Sequence, residues 1–172
     1  LNSCAKEKNE DISSIKESNQ DLEIISAYRE AYNALENGDP YSAAKKFLEA
    51  ELLFPQSEWA SRAALMASYS FYMQNYYAEA LSNLERFLKT YPKDKELAYA
   101  HYLIAMCYYE TIEDEKRDSG PLLQAKNKFQ FIIEKYPNSD LASDAKFKVD
   151  FKWIPRRDNQ IADRMAKSAK YL

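Results

Sequence analysis

The sequence contains few of the residues that make tight turns, and it has no long apolar run. It holds two glycines and six prolines in 172 residues. Strands joined by hairpins are therefore not expected, because tight hairpin turns depend on glycine. No run of about 18 apolar residues occurs, which excludes a membrane-spanning helix. The net charge of −3 gives no concentrated basic field, so we expect no nucleic-acid partner.

The residues that catalysis and metal binding require are equally scarce. The one histidine, His101, and the nearer of the two cysteines, Cys107, lie six positions apart, which is not the spacing that brings two side chains together on a helix. One histidine and one thiol are too few ligands for a metal site. The two glycines form no phosphate-binding loop. The sequence therefore predicts neither an enzyme nor a cofactor. It predicts that His101 is a hydrogen-bonded or exposed helical residue and that Cys107 is a buried structural thiol.

What the sequence does contain is a repeat, marked by an aromatic residue followed by proline. Such pairs end at Pro55, Pro92 and Pro137, spaced by 37 and 45 residues. Aligned on each proline, the same residue types recur at fixed distances. Twelve residues before it stands a small residue, eight before it a large apolar one, and two after it a helix N-cap: Ala43, Ala80 and Ala125; Phe47, Leu84 and Phe129; Ser57, Asp94 and Ser139.

This pattern predicts an all-α fold, since proline ends one helix and the cap begins the next. The small alanines and the terminal proline resemble the tetratricopeptide repeat. We expect a helical solenoid of three full helix pairs plus a partial fourth. The expected pairs are 22–37 with 40–54, 57–74 with 77–91, and 96–111 with 121–136, followed by helices at 139–151 and 158–171. The longer interval holds a charged loop, 113–120, which is either a contact site or a solvated spacer.

The N-terminus has a different character from the repeats. Leu1-Asn2-Ser3-Cys4 resembles a lipobox, in which Cys4 becomes the acylated first residue of the mature protein; the alternative is an arbitrary start with an exposed cysteine. The segment Lys6–Gln20 is polar and has no aromatic residue, which predicts a flexible tether or an ordinary disordered terminus. We therefore expect residues 1–20 to be a lipobox remnant with its tether, and 21–172 to be the repeat domain.

Tyrosine is abundant, with 14 residues, and it concentrates on the first helix of each predicted pair. In stacked pairs of this kind the first helices line a concave face. Rigid amphipathic rings there would bind an extended peptide with aromatic side chains; the alternative is that some of the rings belong to the core. The predicted groove residues are Tyr28, Tyr32, Arg62, Leu65, Tyr69, Tyr72, Tyr99, Tyr102, Met106 and Tyr109.

Taken together, these segments resemble the BamD family of lipoproteins in the outer-membrane β-barrel assembly machinery. The resemblance is carried by LNSC, the polar tether, the helix pairs, EDEKRDSGP, FQFIIEKYPNSDLASDAKFKV and IADRMAKSAKYL. It implies a non-enzymatic scaffold anchored through acylated Cys4 to the periplasmic face of the outer membrane. Its implied partners are the BamA periplasmic domains, other subunits of the machinery, and the C-terminal signal peptides of unfolded β-barrel proteins.

Two other functions stay open on the sequence. One is a generic tetratricopeptide adaptor that organises a different periplasmic or cytosolic complex. The other is a helical accessory domain of an enzyme whose activity lies beyond Leu172. The segment KWIPRR at 152–157 departs from the helix that the BamD family continues there, so docking of the BamA periplasmic domains is the least supported of the implied contacts.

Overall fold

The computed structural model describes residues 11–112 and 120–153, with side chains from 22 to 112 and from 120 to 149. The described residues form seven α-helices and no β-strand, which confirms the all-α prediction. The helices are α1 Asp11–Glu36, α2 Pro40–Leu53, α3 Glu58–Met73, α4 Tyr77–Thr90, α5 Leu97–Glu110, α6 Gly120–Lys135 and α7 Asp140–Trp153. The predicted helix 158–171, Cys4 and most of the charged loop 113–120 lie outside the described residues.

Helices α3, α5 and α7 begin at the capping residues that the repeat predicts. The Ser57 hydroxyl accepts a hydrogen bond from the Trp59 amide at 3.2 Å, and the Asp94 carboxylate accepts one from the Glu96 amide at 2.8 Å. Ser139 does the same for the amide of Ala142 at 3.2 Å. These bonds satisfy amide groups that the first helical turn leaves without partners. The predicted caps are confirmed.

Helix α1 begins earlier than expected. Residues 11–20, which we expected to belong to a flexible tether, continue α1 as regular helix. The physical reason lies in the composition of Asp11–Gln20, which contains neither proline nor glycine. Once the packed part of a helix is nucleated, each further residue adds a backbone hydrogen bond at little cost. The expectation that all of Lys6–Gln20 lacks regular structure is therefore wrong for this part.

The chain divides into two compact units, with the boundary after Ala100 inside α5. In the first unit α2 packs on α1 and on α3, and α4 packs on α3. One cluster of its core places alanines around a large ring, Phe47, and every member is fully buried: Ala31, Ala43, Phe47, Ala50, Ala63 and Ala67. Leu84 and Phe87 of α4 are fully buried as well. Small residues at these contacts let the helix backbones approach closely, as the repeat predicts.

The second unit is built in the same way from α5, α6 and α7. Helix α6 packs on α7, and the core again places large apolar residues among alanines: Ala105, Ala125, Phe129, Ile132, Ala142 and Ala145. The residues that align eight positions before each proline, Phe47, Leu84 and Phe129, are all buried. The repeat register read from the sequence is thus the register of the core.

Cys107, in the second unit, is fully buried and unpaired, which confirms the prediction of a structural thiol. Burial raises the pKa of its thiol to about 12. The reactive form of cysteine is the thiolate, so this thiol is chemically inert in the folded protein.

Replacement of Phe47 by alanine should lower the free energy of unfolding by about 3–5 kcal/mol, since it leaves a cavity among alanines that cannot fill it. Urea denaturation followed by circular dichroism measures this. The matched control on the same helix is Leu52→Ala, where the side chain is 80% exposed and a change within about 0.5 kcal/mol is expected. Equal losses in the two variants would show that Phe47 is not a core residue.

The Cys107 thiol should react with Ellman's reagent at about pH 8 at least about 100-fold more slowly in the folded protein than in denaturing guanidinium. The measurement uses the Cys4→Ser variant, so that Cys107 is the remaining thiol. Equal rates in the two conditions would contradict the buried position of Cys107.

Candidate functional site

In the first unit the predicted groove residues fall into two groups, and the first group packs inward. The Tyr28 ring lies edge-on to both Phe47 and Trp59, with ring centroids 5.1 Å apart in each case. Burial raises the pKa of Tyr28, while the nearby Arg62 opposes that shift. Leu65 is 6% exposed. These two residues contribute to the helix interface, so they offer little surface to a ligand.

The second group lies nearer to solvent, on α1 and α3. Tyr32 is 42% exposed. Tyr69 and Tyr72 are stacked, with ring centroids 6.5 Å apart and planes 30° apart, and Tyr72 also contacts the ring of Tyr77 at 5.8 Å. Arg62 is exposed, and its guanidinium carbon stands 4.9 Å from the centre of the Trp59 ring.

Tyr99, at the start of α5, belongs with this second group. Burial is the main cause that raises the pKa of Tyr99 to about 12, and the electrostatic effects of Tyr69 and Glu96 act in the same direction. Tyr99 is therefore a neutral hydrogen-bonding phenol across the physiological pH range. We call the half-exposed residues Tyr69, Tyr72, Tyr77 and Tyr99 the tyrosine cluster of the first unit.

In the second unit the three predicted groove residues pack against the core. The Tyr102 hydroxyl donates a hydrogen bond to the Asp144 carboxylate, and the Tyr102 ring lies 6.0 Å from that of Phe129. Tyr109 contacts the same phenylalanine at 6.1 Å. Met106, like both tyrosines, is half-buried against the cluster of α5, α6 and α7. In the second unit, Tyr102 and Tyr109 therefore mainly form contacts between helices.

His101 is neither exposed nor fully hydrogen-bonded, contrary to the prediction: it is half-buried, and its Nδ1 atom is buried with no hydrogen-bond partner among the described residues. Its ring lies 4.6 Å from that of Phe131, and burial, with the added effect of Lys128, lowers its pKa. Among the described residues, no group of three histidine, cysteine or acidic side chains is placed to hold a metal ion. No helix in the described part of the chain is long and apolar enough to cross a bilayer.

One polar cluster was missed by sequence reasoning. Arg86 on α4 donates through Nη1 and Nη2 to the two carboxylate oxygens of Glu51 on α2, each at 2.6 Å. The Tyr91 hydroxyl donates to the same carboxylate at 2.8 Å. The available signal was a carboxylate inside the apolar run Ala50–Phe54 of α2, where a charge needs a partner. That partner is 35 residues away in sequence, so spacing alone does not identify it.

Comparison with known proteins places this chain in a family. The family model named YfiO, described as an outer membrane lipoprotein, matches residues 20–171. Several similar proteins carry the name outer membrane protein assembly factor BamD. The one from Caulobacter vibrioides is 39% identical over 123 residues, covering 72% of this chain and 40% of the relative.

Two other relatives are less similar in sequence. The Rickettsia prowazekii protein is 33% identical over 127 residues, covering 74% of this chain and 51% of the relative. The Xylella fastidiosa protein is 25% identical over 141 residues, covering 76% and 48%. The chain thus spans about half the length of the relatives that it matches. The aligned repeats, the helical fold and these matches agree, and the chain belongs to the YfiO/BamD family.

Proposed function

We propose that this chain is a non-enzymatic scaffold in the assembly of outer-membrane proteins, and that it binds the C-terminal signal peptides of unfolded β-barrel proteins. Membership of the YfiO/BamD family and the names of the relatives support the assembly role. The observation that carries the peptide-binding role is the tyrosine cluster of the first unit. There, the rings of Tyr69, Tyr72 and Tyr77 pack on one another while each stays half-exposed.

Tyrosine rings of this kind suit an aromatic-ending peptide for two physical reasons. Aromatic pairs contribute about 0.5–1.5 kcal/mol beyond the area that they bury. Tyrosine also loses little conformational entropy on binding, since few torsions are frozen. Stacking between Tyr69 and Tyr72 restricts these rings further, so part of that entropy is lost before a peptide binds.

The protein partners of the scaffold are a separate part of the proposal. We infer that the full-length protein binds the periplasmic domains of BamA and other subunits of the assembly machinery, as the family relationship suggests. The competing function is a generic tetratricopeptide adaptor of another complex. Pull-down with purified BamA periplasmic domains separates the two, because a generic adaptor has no affinity for them.

Replacement of both Tyr69 and Tyr72 by alanine should weaken binding of an aromatic-ending β-barrel peptide at least about tenfold, since two ring contacts are lost. Tyr72 is the second position because its ring stacks on that of Tyr69, whereas the predicted groove residue Tyr102 bonds to Asp144 and packs on the core. Fluorescence anisotropy measures the affinity, and circular dichroism checks that helical content is retained.

The control for the double variant is Tyr41→Ala, which removes an exposed tyrosine from α2 in the same unit. It should leave peptide affinity unchanged. Unchanged affinity in the Tyr69/Tyr72 variant, with its fold intact, would refute peptide binding by the tyrosine cluster.

We further propose that Cys4 is acylated and anchors the protein to the periplasmic face of the outer membrane. Each buried methylene of an acyl chain contributes about 0.8 kcal/mol to membrane binding, so several chains hold the protein stably. Expression of the complete gene in a Gram-negative host with labelled palmitate should give a labelled protein in the outer-membrane fraction. Cys4→Ser should abolish the label, whereas Cys107→Ser should retain it. Label that survives Cys4→Ser would overturn the anchor.

A further inference from the structure

A cleft of about 780 Å³ lies in the first unit between α2 and α4. These are the second helices of the first two pairs, whereas the predicted groove residues lie on α1, α3 and α5. A volume of this size lies within the range of clefts that bind small molecules. The cleft is therefore a second candidate binding surface. Of the tyrosine cluster, only Tyr77 lies on one of the two helices that form it.

The two charged side chains that line this cleft have opposite signs and neutralise each other. Glu51 and Arg86 are the charged residues among those that line it, and they pair with each other through two hydrogen bonds of 2.6 Å. The Glu51 side chain is 9% exposed, and Tyr91 donates a third bond to its carboxylate. A charged group entering the cleft would lose water and find no uncompensated opposite charge, which is unfavourable.

The cleft nevertheless offers hydrogen bonds to a neutral partner. A guanidinium group has five N–H donors, and Glu51 takes two of those of Arg86. The Arg86 side chain is 42% exposed, so its other donors are accessible to a carbonyl oxygen. The Asn83 amide nitrogen donates to the Glu79 carbonyl of its own helix, which leaves the Asn83 carbonyl oxygen to accept a backbone N–H. Gln56 and Thr90 add uncharged polar groups at the edge.

The walls supply apolar surface beside these groups. Leu48, Leu52 and Pro55 line the cleft. Leu52 is 80% exposed, and its neighbour Leu53 is also exposed. These leucines place apolar side-chain surface in water at the edge of the cleft, and its burial against another chain would be favourable. An aliphatic side chain of another protein could pack against these apolar residues. The peptide groups on either side of it could form hydrogen bonds with Arg86 and Asn83.

We propose that the cleft between α2 and α4 binds an extended, uncharged segment of a partner protein through an aliphatic side chain. The paired charges exclude acidic and basic segments, the leucines hold the anchor, and Arg86 with Asn83 bonds to the backbone of the segment. This site is distinct from the tyrosine cluster, and its existence does not depend on signal-peptide binding there.

The test uses three synthetic peptides of one glycine–serine backbone, with Leu-Val-Leu, Asp-Val-Asp or Lys-Val-Lys at the centre. Each carries a terminal fluorophore, and anisotropy measures its binding to the whole chain. The Leu-Val-Leu peptide should bind saturably, at least about tenfold more tightly than either charged peptide. Leu52→Ser should weaken its binding at least about fivefold, since an apolar contact is lost.

Two control variants locate the binding. Leu123→Ser removes a leucine that is 53% exposed on α6, and Tyr69→Ala removes a ring of the tyrosine cluster; neither should change the affinity. The proposal is overturned by a lack of saturable binding, by tighter binding of a charged peptide, or by equal losses in Leu52→Ser and Leu123→Ser. A loss confined to Tyr69→Ala would also overturn it, by assigning the peptide to the tyrosine cluster, and would leave the proposed function standing.

Discussion

Close approach of helices through alanine is the constraint on which the rest of this structure depends. In both units the core consists of fully or nearly fully buried alanines with a few large side chains between them. A helix pair of this composition cannot bury its apolar face by itself, so it must pack against the next pair. Phe47 and Phe129 occupy equivalent positions in the two units and fill the space that the alanines leave.

This constraint also explains why the tyrosines do not form one uniform binding surface. A ring that projects from a first helix meets either solvent or the neighbouring pair, depending on how far the small residues let that pair approach. Tyr28 and Tyr102 are drawn into helix contacts, whereas Tyr32 remains on the surface. Tyrosine suits both environments because its ring packs while its hydroxyl finds a partner. The same residue type thus joins helices in one place and remains at the surface in another, where we propose that it binds a peptide.

The elements of the fold were predictable because they depend on local rules. Proline after an aromatic residue ends α2, α4 and α6, and a serine or aspartate begins α3, α5 and α7, so these bounds follow closely from the sequence. The start of α1 was not predictable in this way, since its polar first turns carry no apolar periodicity. The burial of Leu65 and Met106 was missed for a related reason: repeat position gives the face of a helix, but the depth of a side chain depends on its neighbour.

The polar cluster of Glu51, Arg86 and Tyr91 is the clearest example of a contact that local sequence rules do not predict. A carboxylate that is nearly buried loses the stabilisation of water, and the three hydrogen bonds from Arg86 and Tyr91 offset that loss. Such a pair adds little net stability compared with apolar residues of similar size, so stability alone does not account for it. Three apolar side chains would instead extend the hydrophobic surface between α2 and α4. The polar cluster gives a bridge between these helices that is neutral overall and keeps hydrogen-bond donors at the surface. The cleft above it therefore combines apolar walls with a polar floor, and this combination underlies the proposal that it binds a segment of another protein.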